Sequence, residues 1–219
     1  MKPILLINFK TYEEATGKKA LELARIIENF VNKRAKIIVA PQVSDIYVIS
    51  KNTKLTVFSQ HVDAISYGSH TGWILPNAIK EAGAKGTLLN HSERKVDLET
   101  IKKTLEICKS LHLRTVVCAE TPEKAKEIAK LKPDYIAIEP PELIGGDVSV
   151  SKAKPEIITK AIEMVNEIAP IPVLCGAGIK NGEDVRKAIE LGAKGILVAS
   201  GVIKAKNPKE VIKDLLEGF

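Results

Sequence analysis

The sequence predicts an α/β fold: a single (β/α)8 barrel with shortened loops and helices, with residues 1–219 forming one domain. Three observations predict it. A β-branched apolar run, a polar turn and an amphipathic stretch at helical spacing repeat from end to end. The repeat occurs eight times, the number of units that closes such a barrel. The runs are apolar on both faces, as strands of a parallel sheet are when helices cover it. At 219 residues the chain is shorter than the usual ~250 of this fold, so its connections must be short. An open doubly wound sheet is the rival, but it would more often carry a Gly-rich turn after the first strand, and Asn8-Phe9-Lys10-Thr11 has none.

The elements follow in order. Strand one is ILLINF (4–9), and GKKALELARIIENFVNKR (17–34) is its helix. KIIVAP (36–41) leads to a weaker helix over VSDIYVISKN (43–52), and LTVFSQ (55–60) to another over PNAIKEAG (76–83). GTLLN (86–90) precedes DLETIKKTLEICKSLH (97–112), and RTVVCA (114–119) precedes TPEKAKEIAKLK (121–132). YIAIEP (135–140) is paired with PEIITKAIEMVNEIA (155–169), PVLCGAG (172–178) with NGEDVRKAIELGA (181–193), and GILVAS (195–200) with NPKEVIKDLLEGF (207–219). Thr121-Pro122 and Asn207-Pro208 each place a capping side chain before a first-turn proline.

Composition narrows the function classes. Hydrophobic residues make up 45% and aromatics only 4%, so the core must be built from Ile, Val, Leu and Ala. A formal charge of +6 permits an anionic partner, but the lysines are interspersed with acids and form no basic run. Solvated helix faces and one small anion site fit this pattern better than nucleic acid. Cys108, Cys118 and Cys175 are an odd number without paired spacing, which argues against a disulfide framework and a zinc site. MKPILLINFK is too short for a signal peptide or a membrane span, so a cytoplasmic location is expected.

Chemistry in this fold sits at the carboxyl ends of the strands. Strand alternation points Asn8 and Lys10 to the mouth and Phe9 outward; taken alone, Lys10 also reads as an ordinary solvent-facing lysine. His91 stands between strand four and a serine-led turn. Ser92 can cap that turn, whose amides favour a neutral imidazole, though a locally satisfied histidine is an equal reading. Glu139 ends strand six on the axial face, where a carboxylate is costly unless solvated, paired or useful. Partial shelter makes such an acid a stronger base; the other reading is an ion pair with Lys10 or Arg94. The small-residue turns at Gly176-Ala177-Gly178 and Ala199-Ser200-Gly201 follow strands seven and eight, the common phosphate position of the barrel. His61, His70 and His112 lack metal-ligand spacing.

NFK, NHSERK, AIEPPELIGG and the two late turns, in this order over nearly the whole chain, resemble the triosephosphate isomerases, in particular their compact archaeal-type branch. The resemblance implies a TIM barrel that interconverts dihydroxyacetone phosphate and D-glyceraldehyde 3-phosphate through an enediolate, in glycolysis and gluconeogenesis, with no metal and no cofactor. It makes Glu139 the base, His91 the electrophile and Lys10 the binding cation. It makes Asn8 and the adjoining Phe9 part of the substrate stretch, and Glu93 a supporting acid beside Ser92. Ile144 and Gly145 match a lid tip, and Gly178, Ala199 and Ser200 match phosphate contacts. Phe9, Glu142, Cys175 and Gly178 replace the family's usual tryptophan, tryptophan, tyrosine and serine, so the latch of the closed lid is altered. Thr71 and Gly72 are kept in the third loop, but Trp73 replaces the acid expected to partner Arg94. The resemblance implies a homo-oligomer, a homotetramer in preference to a dimer, with Trp73 at an apolar contact. No nucleic acid and no membrane partner are expected.

Two other functions fit parts of the pattern: another sugar-phosphate isomerase or synthase on the same barrel, and a phosphate- or nucleic-acid-binding protein. Neither needs Lys10, His91 and Glu139 together, and short loops suit a three-carbon substrate.

Overall fold

The computed structural model describes residues 2–31, 34–140 and 154–219. Eight parallel strands form a closed barrel in chain order: β1 (Ile4–Asn8), β2 (Lys36–Ala40), β3 (Thr56–Ser59), β4 (Gly86–Leu89), β5 (Arg114–Ala119), β6 (Tyr135–Ile138), β7 (Val173–Cys175) and β8 (Gly195–Val198). The ring shuts between β1 and β8, with Ile4 opposite Gly195 and Ile7 opposite Val198. Gly195 is required there, because a Cβ would collide with the main chain of Ile4.

The two-residue period of the strands sorts their side chains into two layers. Along β1, Ile4 and Leu6 enter the barrel, while Leu5 and Ile7 pack outward under the helices. Leu6, Ile38, Phe58, Leu88, Val116 and Leu174, each from a different strand, fill the interior, so the barrel is a packed core and not a pore. Each buried Leu or Ile stabilises the fold by about 1.5–3 kcal/mol relative to exposure.

The helices form the outer ring: α1 (Lys18–Glu28), α2 (Ile46–Asn52), α3 (Pro76–Glu81), α4 (Leu98–Ser110), α5 (Pro122–Ala129), α6 (Pro155–Asn166), α7 (Gly182–Glu190), α8 (Ser200–Ile203) and α9 (Pro208–Glu217). α1 buries Ala20, Leu23, Ala24 and Ile27, one face at helical spacing. The expected caps form: Thr121 accepts from the Lys124 amide and Asn207 from the Glu210 amide. Asp97 and Asn181 cap α4 and α7 in the same way. α1 ends earlier than its pattern suggests, because the Asn29 carboxamide donates to the carbonyls of Arg25 and Ile26 and the chain then turns Phe30 into the core. The four-residue α8 has no counterpart among the sequence expectations, since one turn is too short to show a period.

The three cysteines are buried and unpaired. Among the described residues, no helix is long and apolar enough to cross a membrane.

Candidate active site

β1 delivers Asn8 to the carboxyl end of the barrel, and the strand stops there. Lys10 is therefore not aimed by strand alternation. Its backbone adopts φ 48°, a left-handed conformation costing on the order of 1–2 kcal/mol for a residue with a side chain. Two side chains impose it. The Lys10 amide donates to Asn8 Oδ1 at 3.0 Å, and Gln60 Nε2 donates to the carbonyls of Lys10 at 2.8 Å and Ala40 at 3.0 Å. So held, the Lys10 ammonium meets Glu93 Oε1 at 2.8 Å with its side chain only 12% exposed.

β4 leads into Asn90, again left-handed at φ 58°. Its carboxamide donates to the Cys118 carbonyl at 2.9 Å and accepts the Val96 amide at 3.0 Å, tying the following turn to β5. That turn carries His91, which is buried. The Glu93 amide donates to His91 Nδ1 at 3.2 Å. A ring nitrogen that accepts cannot carry a hydrogen, so the neutral imidazole holds its proton on Nε2. Nε2 lies 3.7 Å from Glu139 Oε1. The turn is capped by the imidazole, the role expected of Ser92; Ser92 lines a small side cavity instead.

Glu139 follows β6 directly and is 3% exposed. Its Oε2 is buried and has no hydrogen-bond partner, the one such side-chain atom among the described residues. Burial raises the Glu139 carboxyl above its usual value; His91, the Cys118 thiol and Lys10 offset part of this, and Glu93 adds to it. Burial, and then the neighbouring Glu139, hold Cys118 as a thiol. Gly176 provides the room: a Cβ there would come within 3.1 Å of Glu139 Cδ and Oε1, and closer still to Cγ.

The mouth has two lobes that meet at Lys10, Tyr12 and His91. One, of about 430 Å3, runs past Asn8, Gln60 and His61 toward the third loop. The other, of about 360 Å3, contains Glu139, Gly176, Gly178, Ala199, Ser200 and Gly201. It therefore brings the acid and both small-residue turns around one space. Gly178 is at φ 70°, and α8 opens at Ser200 onto the same space. Main-chain N–H groups in such turns suit an anion.

Several expectations change. Phe9 is wholly buried in the outer core, so its side chain does not line the site. Cys175 is likewise turned into the outer core, its thiol pushed up to about 12 by burial, and cannot act as a latch. Arg94 has an acid partner despite Trp73: its Nη2 lies 3.1 Å from Asp63 Oδ1 of the same chain. Glu139 pairs with neither Lys10 nor Arg94, which hold Glu93 and Asp63. Ile144, Gly145 and Glu142 lie outside the described residues. Gln60 and Cys118 support the site without having been marked by a motif, and Asn90 and Gly176 support it in roles that their motifs did not indicate. Among the described residues, no group of three or more His, Cys, Asp or Glu could hold a metal ion.

A family model described as triosephosphate isomerase matches residues 3–215. The triosephosphate isomerase of Methanocaldococcus jannaschii is 49% identical over 216 residues, covering 98% of this chain and 99% of its own. That of Methanobacterium bryantii is 49% identical over 216 residues, covering 98% and 96%. That of Sulfolobus acidocaldarius is 49% identical over 217 residues, covering 98% and 94%.

Proposed function

The chain belongs to the triosephosphate isomerase family and is an isomerase of triose phosphates; from that premise we propose that Glu139, His91 and Lys10 carry the reaction. The observation that carries this assignment is the buried Glu139 carboxylate with one unpartnered oxygen, 3.7 Å from a histidine whose proton is held on Nε2.

The chemistry divides among these groups. A proton on the carbon beside a carbonyl is too weakly acidic for a carboxylate in water, so charge must be stabilised as it forms. Glu139 takes that proton from one carbon of the substrate and later returns it to the neighbouring carbon. His91 Nε2–H donates to the oxygen on which charge develops, and takes part as a neutral acid. Lys10 supplies the fixed positive charge, and Glu93 and Asn8 hold it in place. The phosphate is received by the turns at Gly178, Ala199 and Ser200, beside the helix that opens at Ser200. In the same turnover the hydroxyl proton passes from one oxygen of the substrate to the other, so the isomerisation balances with no other reactant. Neutral-imidazole catalysis and water exclusion by a lid are established features of this family.

Glu139→Gln tests the assignment. Turnover of glyceraldehyde 3-phosphate in a coupled assay should fall by several powers of ten, on the scale expected for losing a catalytic base. Affinity for a phosphate-bearing substrate analogue should change little. Near-normal turnover would remove Glu139 from this role.

The protein acts, in this reading, as one domain in the cytoplasm, in glycolysis and gluconeogenesis, and as a homotetramer. Support for assembly comes from the third loop, where Tyr67 and Trp73 are 73% and 58% exposed. Large aromatic surfaces of this kind mark interfaces. A monomeric mass by light scattering at micromolar concentration would refute the tetramer.

A further inference from the structure

We propose that Asp63 is a positioning residue for the reaction: through Arg94 it fixes the turn that carries His91 and Glu93, and it does so from within the same chain. The inference rests on the catalytic reading of that turn.

The Asp63 side chain is 12% exposed and gathers three donors. Its Oδ1 lies 3.1 Å from Arg94 Nη2 and 3.1 Å from His61 Nε2. Its Oδ2 accepts the Ile74 amide at 2.6 Å, while its own amide donates to the Ile74 carbonyl at 3.0 Å. The residue therefore clasps both ends of the third loop at their root. From this fixed point it reaches across to the turn after β4.

That turn is only four residues long, and its bonds make it respond as a unit. The Arg94 amide donates to the His91 carbonyl at 2.8 Å, the Glu93 amide to His91 Nδ1 at 3.2 Å, and the Glu93 carboxylate holds Lys10 at 2.8 Å. Displacing Arg94 displaces the group that sets the imidazole tautomer and the group that holds the cation.

An ion pair with a guanidinium 55% exposed is ordinarily weak, because two mobile side chains must be ordered against screening water. Here only the arginine is mobile. The carboxylate is already oriented by Ile74 and His61. Burial lowers the affinity of His61 for a proton, so it gives Asp63 a neutral donor and leaves the negative charge for Arg94. Burial of Asp63 itself opposes ionisation, yet the bonds from Ile74, His61 and Arg94 outweigh this and hold it below its usual value. The position at which the resemblance leads one to expect an acid for Arg94 holds Trp73, and Asp63 supplies the acid instead.

Asp63→Asn retains an oxygen for the Ile74 amide and removes the charge facing Arg94. In steady-state assays of Asp63→Asn, Arg94→Met and the double variant, kcat should fall on the order of 10- to 100-fold in each single variant, the scale of a misplaced catalytic group. KM should rise as well, because the Glu93 carboxylate that holds Lys10 shifts with the turn, and the double variant should be no worse than the poorer single one. Asp63→Glu should recover part of the loss. Wild-type kcat in Asp63→Asn, or losses that multiply in the double variant, would overturn the proposal.

A second readout does not depend on turnover. Long-range 1H–15N spectra should show His91 as the Nε2–H tautomer in the native protein and as a mixture in both Asp63→Asn and Arg94→Met. An unchanged tautomer in either variant would equally overturn it. Failure of the catalytic assignment would show itself separately, as Glu139→Gln retaining turnover while the tautomer still responds.

Discussion

Glu139 occupies the space that any side chain at position 176 would need. The two residues lie at the ends of neighbouring strands, and the Gly176 amide donates to the carbonyl of Ile138, just before the acid, at 3.0 Å. The strand pairing that closes the barrel thus also brings this glycine against the carboxylate. Gly176 reads in sequence as part of a phosphate turn; in three dimensions it is the seat of the Glu139 carboxylate.

Gly176→Ala should displace the carboxylate and leave the barrel intact. A misplacement near 1 Å costs on the order of 10²-fold in rate, so kcat should fall by about that factor. The thermal midpoint should fall as well, because the nearest clashing atom is the Cγ of a buried side chain. A variant with native kcat would show that Glu139 has another productive position.

The raised Glu139 carboxyl predicts the acid side of the pH profile. In the proposed role Glu139 must be ionised, so kcat/KM should rise with pH through a value above the ordinary 4.5. The same shift has a consequence for stability. A carboxyl whose folded-state value is raised contributes stability below its unfolded value, and that contribution is lost as pH rises through the folded-state value. Glu139→Gln has no such loss. It should melt higher than the native protein at neutral pH, and the difference should shrink below about 4.5. Equal melting curves at both pH values would show that the ionised carboxylate is not disfavoured by burial.

Gln60 should matter to Lys10 without touching substrate chemistry. Gln60→Leu removes the donor to the Lys10 and Ala40 carbonyls. The Ala40 carbonyl keeps the Phe9 amide, but leaving the Lys10 carbonyl unpaired costs about 1–3 kcal/mol. Two outcomes should appear together: a lower thermal midpoint, and a rise in KM for the phosphorylated substrate as the ammonium loses its fixed place. Native KM in a destabilised variant would restrict Gln60 to folding.

Much of the site was legible as sequence. The acid after β6, the histidine after β4 and the lysine after β1 stand where strand ends put them, and their types are those that proton transfer needs. The supports were not legible. Asn90 reads as a strand-end residue until its left-handed backbone is seen, and Cys118 as one more apolar strand position until its thiol is seen to bear on the Glu139 carboxyl. Phe9 was assigned to the substrate stretch as the neighbour of Lys10, but its side chain follows strand parity into the outer core.

The sequence by itself determined a closed parallel barrel and the three groups that meet at its mouth, because apolar period, strand end and turn chemistry are local properties of the chain. Tertiary structure alone decided how those groups are held. Lys10 takes its conformation from a residue 50 positions away and its charge partner from one 83 positions away, and Arg94 finds Asp63 across 31. Only barrel closure brings such pairs within hydrogen-bond distance, and no local pattern encodes that closeness.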